Sequence, residues 1–285
     1  MPYAGVMSSR SLAAVALLAA AALLGGCSLP GRDEGGGGPP DWAPAGEAKI
    51  TPGAQTRTNG GQCTANFVFY EGDTVYLGQA AHCSTTGGPA SVDGCKTSSR
   101  PLGTKVRIEG AGKPGTLAYN SWLAMRKAGE TDSETCKFND LALIELDPEE
   151  AKKVNPSIPK FGGPTGIGTT AKGQQVYTYG SSELRLGIKL LSPKSGVTVE
   201  TSPAGWSHTV YTLTPGIPGD SGSAMLNRKG EALGVISTLA FLGKPGSNGV
   251  GDIGKELAYA RSHGFPDLEL ARGTEKFRAS FLGLG

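Results

Sequence analysis

Gly219-Asp220-Ser221-Gly222-Ser223 is the stretch on which the reading of this chain turns. It sets a serine between two glycines, which let the backbone make a tight turn and bring its N–H groups close to a bound carbonyl. A serine hydroxyl is a weak nucleophile near neutral pH unless a neighbouring base takes its proton as the new bond forms. Working back along the chain, Ala80-Ala81-His82-Cys83 offers that base, and Asn139-Asp140-Leu141-Ala142-Leu143-Ile144 offers an acid to orient it. Asp140 opens an apolar run, so it stands at the mouth of a buried strand with its carboxylate shielded from water. Backbone N–H groups of Gly219 and Ser221 are the candidate donors to a developing oxyanion.

Any one of these segments alone reads as a turn serine, a core histidine beside a disulfide, or an aspartate that starts a strand. Their order decides. An α/β-hydrolase runs serine, acid, histidine with its nucleophile in G-x-S-x-G, whereas here histidine comes first and Ser223 stands where that motif needs glycine. Histidine, aspartate and serine in this sequence, each in its own motif, resemble the chymotrypsin-like (trypsin-like) serine proteases, especially compact secreted bacterial members. The resemblance covers roughly residues 50 to 262. It departs from the family's usual T-A-A-H-C at Gln79 and from G-D-S-G-G-P at Ser223 and Ala224.

What the resemblance implies is an all-β fold of two packed antiparallel β-barrels with a short C-terminal helix, and serine endopeptidase activity through a Ser-His-Asp acyl-enzyme mechanism. It assigns His82 as base, Asp140 as orienting acid and Ser221 as nucleophile. Ser237 should donate a hydrogen bond to Asp140, while Thr238 and Leu239 form one wall of the substrate cleft. Where trypsin-branch members carry an aspartate six residues before the nucleophile, this chain has Pro215. The side chain preferred at the cleavage site is therefore expected to be apolar or small. The only sequence comparable to the activation site of animal relatives is Lys49-Ile50-Thr51-Pro52-Gly53, a poor match. Asp220 is accordingly expected to find an internal partner, with no proteolytic activation step. The alternative function is a catalytically silent, protease-like binding or scaffold lipoprotein.

Five cysteines ask for one to be explained apart from the rest. Cys27 follows an apolar stretch, Leu12 to Leu24, and Leu24-Gly25-Gly26, a pattern that looks like a lipoprotein signal peptide ending in a lipobox. The apolar stretch is too short to span a bilayer, which needs about 20 helical residues. Cleavage before Cys27 leaves a lipid-modified N-terminus and a protein tethered on the outer face of the cell membrane. An ordinary secretory signal cut near Gly25 is the other reading. Cys63, Cys83, Cys95 and Cys136 allow three pairings, and an exported protein favours two disulfides. The family resemblance selects Cys63–Cys83, which clips the residue after the histidine, and leaves Cys95–Cys136. No C-x-x-C or His-x-x-x-His spacing supports a metal site, and no cofactor is expected.

Net charge is only +2 and no basic run stands out, which removes the electrostatic basis for nucleic-acid binding. The expected partners are a protein or peptide substrate and, through the lipid, the membrane; the chain is expected to act as a monomer. Short runs rich in valine, isoleucine, threonine and tyrosine between turn signals predict strands. They lie at 64–70, 74–78, 104–109, 141–146, 174–179, 184–191, 209–213 and 232–237. Asp147-Pro148-Glu149-Glu150 predicts a short capped helix, and Asp252 caps a second one running to about Arg261. His208 and His263 read as surface or structural. The chain thus divides into a leader (1–26), Cys27 with a linker (27–49), a first barrel with His82 and Asp140 (50–154) and a crossover (155–173). A second barrel with Ser221 (174–264) and a tail (265–285) complete it.

Overall fold

Strand β7 (Leu141–Glu145) explains why the Asp140 motif reads as an uninterrupted apolar run: its first four residues are all buried, so both of its faces are covered. Its neighbours build a sheet from β1 (Gln55–Thr58), β2 (Gly61–Thr64), β3 (Val68–Glu71), β4 (Thr74–Ala80), β5 (Lys105–Ile108) and β6 (Gly115–Asn120). A computed structural model describes residues 38–59, 61–86, 93–239 and 244–280, and the expected leader and Cys27 lie outside them.

The second half is a closed six-stranded barrel. It runs β10-β13-β12-β11-β8-β9, built from β8 (Gln175–Tyr179), β9 (Pro193–Thr201), β10 (Ser207–Thr212), β11 (Ala224–Asn227), β12 (Ala232–Leu239) and β13 (Asn248–Asp252). The first half differs from the expected barrel. Its ladder is an open eight-stranded antiparallel sheet, β14-β3-β4-β7-β6-β5-β1-β2, in which β14 (Glu269–Leu270) comes from the C-terminal tail.

The reason is a corner. Strand β2 pairs with β1, and after Ala65-Asn66-Phe67 the same chain pairs as β3 with β4. Asn66 N–H donates to the Gly78 carbonyl and Gly78 N–H to that of Phe67. A side chain at 78 would put its Cβ 1.9 Å from Asn66 Oδ1, so the corner needs glycine there. The chain itself rounds the corner where a ladder would otherwise close, and β14 covers the outer edge of β3.

The α-helices among the described residues are α1 (Ser121–Ala128), α2 (Ser133–Phe138), α3 (Pro148–Ala151) and α4 (Ile253–Ser262). The expected caps hold: Asp147 accepts from Glu149 N–H and Asp252 from Lys255 N–H. Helices α1 and α2, which the pattern of the sequence does not announce, are capped by Asn120 and Asp132. The expected strand over 184–191 does not form. Glu183–Arg185 and Lys189–Leu191 are single 3-10 turns, separated by left-handed backbone at Leu186 (φ 53°) and Gly187 (φ 76°).

The tail, which the sequence leaves unplaced, straps the domain. Leu268 is fully buried, Phe277 packs edge-on against Tyr177, and the backbones of Glu275 and Arg278 bond those of Gly163 and Phe161. The last part of the expected linker also belongs to the fold. Trp42 packs on Tyr70, and the N–H groups of Ala43 and Lys49 donate to the carbonyls of Val154 and Lys153.

Candidate active site

His82 sits on a single 3-10 turn, Ala81–Ser84, at the end of β4, and the structure joins Cys83 of that turn to Cys63 at β2. A second disulfide, Cys95–Cys136, ties α2 to the chain ahead of α1, its Cys136 standing four residues before Asp140. Ala81 N–H bonds the Asp140 carbonyl, and Asn120 Nδ2 donates to the Ala81 carbonyl. The histidine turn is thus held from three sides before its side chain makes any contact.

Asp140 is almost fully buried and grips the histidine twice. Its Oδ1 accepts from the His82 backbone N–H at 2.9 Å, and its Oδ2 lies 2.7 Å from Nδ1 of the ring. Ser237 Oγ donates to the same Oδ2. This arrangement puts the Nδ1 proton on the carboxylate side and turns Nε2 outward as the basic nitrogen. Burial pushes the imidazole pKa down, but the charge of Asp140 and its hydrogen bond more than offset this, so it is raised above the ordinary 6.5.

A residue the sequence does not signal lies behind this pair. Glu256 of α4 is completely buried and its Oε1 accepts the backbone N–H of Asp140 at 2.9 Å. Burial raises its pKa well above the usual carboxylate range. The Asp140 N–H bond works against this, and the charges of Asp140 and Asp252 add to it. Its burial thus favours the neutral acid over the carboxylate.

Ser221 comes from the turn ahead of β11. Its carbonyl accepts from Thr64 N–H at 2.8 Å, next to Cys63. A Cβ on Gly222 would lie 2.4 Å from the Thr64 carbonyl oxygen and 3.0 Å from Ala80 N, which shows how closely the two halves approach. The serine backbone therefore lies beside the segment that carries His82. Among the described residues no hydrogen bond joins Ser221 Oγ to the His82 ring, while the ring is bonded to Asp140. In ligand-free sites such contacts are commonly long and tighten with substrate.

Most backbone donors of the nucleophile turn are engaged within the protein. Gly216 N–H goes to Asn248 Oδ1, Ile217 N–H to Asp220 Oδ2, Asp220 N–H to the Ile217 carbonyl, Gly222 N–H to that of Ile236 and Ser223 N–H to that of Asp220. Pro218 has no N–H. Among the described residues, Gly219 and Ser221 are the two positions of 216–223 whose N–H groups have no protein acceptor. Gly219 has φ 96°, and a Cβ there would meet Gln62 Oε1 at 2.2 Å, so only glycine serves.

Asp220 finds the internal partner expected of it, and finds two. Arg185 Nη2 lies 2.7 Å and Lys194 Nζ 3.3 Å from its Oδ2, with Ser182 N–H on Oδ1 at 3.1 Å. Both Asp220 and Lys194 are fully buried. Burial pushes the lysine down to about 8, the nearby Arg185 charge adds to this, and Asp220 opposes it. The lone arginine inside the apolar run 184–191 was the one signal in the sequence for this contact.

The departures from the family motifs are satisfied locally. Gln79 is buried against Thr56, Thr58 and Ser84, and Ser223 Oγ donates to the Asp220 carbonyl at 2.6 Å. Of the residues expected to line the cleft, Pro215 is exposed and its carbonyl accepts from Arg185, Thr238 is half-buried, and Leu239 pairs through its backbone with Asn248. Asn248, unsignalled in the sequence, bridges the two walls: its Nδ2 donates to the carbonyls of Gly216 and Thr238. His208 is buried between Thr201 and Asp252, and His263 stacks on Tyr259.

No protein-family model matches the chain, and no curated protein matches it. Among solved structures, it is similar to Thermobifida fusca protease A, with a TM-score of 0.51 at 18% identity over 79% of this chain and 99% of that one. A Nocardiopsis protease aligns with a TM-score of 0.47 at 18% identity, over 78% and 98% of the two chains. The serine endoprotease of Yersinia pestis aligns at 0.45 and 16%, over 76% and 63%. The first of these shows a fold shared with a bacterial protease.

Proposed function

We propose that this chain is a serine endopeptidase working outside the cytoplasm, with Ser221 as nucleophile, His82 as general base and Asp140 as the acid that orients it. One observation carries the reading: the free N–H pair of Gly219 and Ser221 belongs to a turn packed against the chain that holds the His82–Asp140 couple. In this reading Ser221 Oγ attacks a peptide carbonyl as Nε2 of His82 takes its proton, and the imidazolium is stabilised by Asp140. The oxyanion is received by the two N–H groups, each of which typically contributes about 100- to 1000-fold. The imidazolium then protonates the leaving amine, and water, activated by the same ring, releases the acyl group.

Two disulfides fit an oxidising location, and Cys27 after its apolar leader is the proposed lipid-modified residue. Asp220 is engaged by two cations, which leaves no free carboxylate on the 214–220 turn for a basic substrate side chain. Pro215, Thr238 and Leu239 are proposed to favour apolar or small ones. The test is a fluorophosphonate probe on the full chain. Covalent labelling of the wild type that disappears in Ser221→Ala supports an active enzyme. A folded wild type that takes no label, alongside no peptide-library cleavage, overturns it in favour of a silent binding protein.

A further inference from the structure

The loop between β8 and β9 does something unusual with its aliphatic side chains. Leu184, Leu186, Ile188 and Leu190 are 65%, 86%, 53% and 63% exposed. Leu213, also exposed, bonds through its N–H to the Ser195 carbonyl of β9, and Arg185 of the loop bonds the Pro215 carbonyl two residues on. Half of the large exposed apolar residues among those described therefore stand on this one short loop. Scattered exposed leucines need no explanation, but a patch of this kind marks an interaction surface.

The loop is presented firmly. Arg185 reaches inward to buried Asp220, which pins the backbone while its neighbours face outward. The N–H groups of Leu184, Arg185, Leu186, Ile188, Leu191 and Ser192 are bonded within the loop or to the Ser182 side chain. Such a segment can enter an apolar phase without leaving those donors unsatisfied, the main obstacle to irregular backbone in lipid. A protein partner gains little from donors already engaged. Exposed Lys189 and Lys49 lie at the edge of the loop and line the same open cavity of about 380 Å³ with Ile188 and Glu109, two lysines against one carboxylate, a balance that suits anionic headgroups.

Where the chain enters the domain points the same way. Ala43 and Lys49 both bond the 153–154 backbone, so the N-terminal segment joins the fold on the side of that cavity. Eleven positions separate Gly38 from Cys27, a covalent reach of at most about 40 Å. Among the described residues no helix is long and apolar enough to cross a membrane.

We propose that the 182–191 loop is a membrane-contact element whose Leu184, Leu186, Ile188 and Leu190 seat in the interfacial layer of an anionic lipid surface. For the way the chain is brought to that surface, this rests on the reading of Cys27 as its anchor. Through Arg185 and Asp220 the loop lies one side chain from the nucleophile turn, so its insertion holds the cleft next to the membrane. One apolar attachment binds a membrane reversibly, and a second stabilises and orients it.

The test places an indole at the loop tip of the full chain, as Leu186→Trp, against Lys229→Trp as an exposed control. Measured as the difference from the wild type, which carries Trp42, Trp122 and Trp206, the emission added by Leu186→Trp should shift to the blue and be largely quenched by vesicles of phosphatidylcholine and phosphatidylglycerol with brominated acyl chains, while that added by the control stays unchanged. Adding Leu184→Ser, Ile188→Ser and Leu190→Ser should return that indole to water-like emission. Water-like emission at 186 while the chain floats with vesicles overturns the proposal, as does failure to float at any vesicle concentration. A concentration-dependent blue shift without vesicles overturns it in favour of a second copy of the chain. The intact mass of the mature chain reports the lipid on Cys27 separately, so quenching without an acyl group sinks the anchor alone.

Discussion

Two buried aspartates, one in each half of the molecule, are solved in opposite ways. Asp140, in the first half, is surrounded by groups that bear no permanent charge, the His82 ring and backbone and the Ser237 hydroxyl, with Glu256, which burial pushes toward its neutral form, on its N–H. Asp220, in the second, is clamped by Arg185 and Lys194. The difference teaches what each acid is for. A carboxylate that must answer a proton arriving on a neighbouring ring needs a partner that can change charge, whereas one that fixes a backbone turn needs partners that do not.

The largest effect expected from this contrast follows Asp140→Asn. The amide keeps the shape of the site but favours the wrong imidazole tautomer, so kcat should fall about 10⁴-fold with KM and the thermal midpoint little changed. Steady-state peptide hydrolysis and thermal unfolding of the same preparation measure both. A variant that loses stability in step with activity would mean that Asp140 is structural, as Asp220 is.

Arg185→Ala should show the reverse. It leaves a fully buried carboxylate with only Lys194 for a cation, and breaking a buried pair in this way costs about 3–5 kcal/mol. Denaturant unfolding should register that loss directly. Unchanged stability would show that the loop is not pinned by this contact.

The next effect is one of pH. The His82 pKa is raised, so the acid limb of kcat/KM should lie above the ordinary 6.5, with activity lost as pH falls through it and the ring protonates before substrate arrives. Glu256→Gln sharpens the point. Burial favours the neutral form of Glu256, so the amide should leave that limb in place. A limb that moves to lower pH in Glu256→Gln would reveal a negative charge that had been supporting the imidazolium.

How much of this is legible in the sequence depends on whether a residue's neighbours are local. The His82, Asp140 and Ser221 motifs carry their own surroundings: an apolar run, a disulfide cysteine, flanking glycines. Helix caps at Asp147 and Asp252 are legible for the same reason, because the cap and the donor it serves are two or three residues apart. Lys194, Asn248 and Glu256 act across separations that only the folded topology closes, and no local pattern announces them; for Arg185 the one hint is its place inside an apolar run. The 184–191 run misleads because its alternating aliphatics mimic a strand, while the backbone there is bent by left-handed residues and the arginine turns inward. The open first sheet is missed because its corner depends on one fit, Asn66 into the space left by Gly78.

The smallest effect expected separates the two cations of Asp220. Lys194 has no exposure at all and makes two polar contacts, the Ser192 carbonyl at 3.2 Å and Asp220 at 3.3 Å, too few for an ammonium with three donors. Burial holds it down to about 8 against an ordinary 10.5. Between those values the unfolded chain binds a proton that the folded one lacks, so this group makes stability rise with pH across that window. Below it, the folded state keeps a second buried cation that Arg185 has already made redundant. Lys194→Met should therefore lie within about 1 kcal/mol of the wild type near neutral pH, or above it, and should flatten the alkaline rise. Urea unfolding near neutrality and at alkaline pH reads both features. A loss as large as that of Arg185→Ala would make the two cations equal partners, and the asymmetry drawn between them would fail.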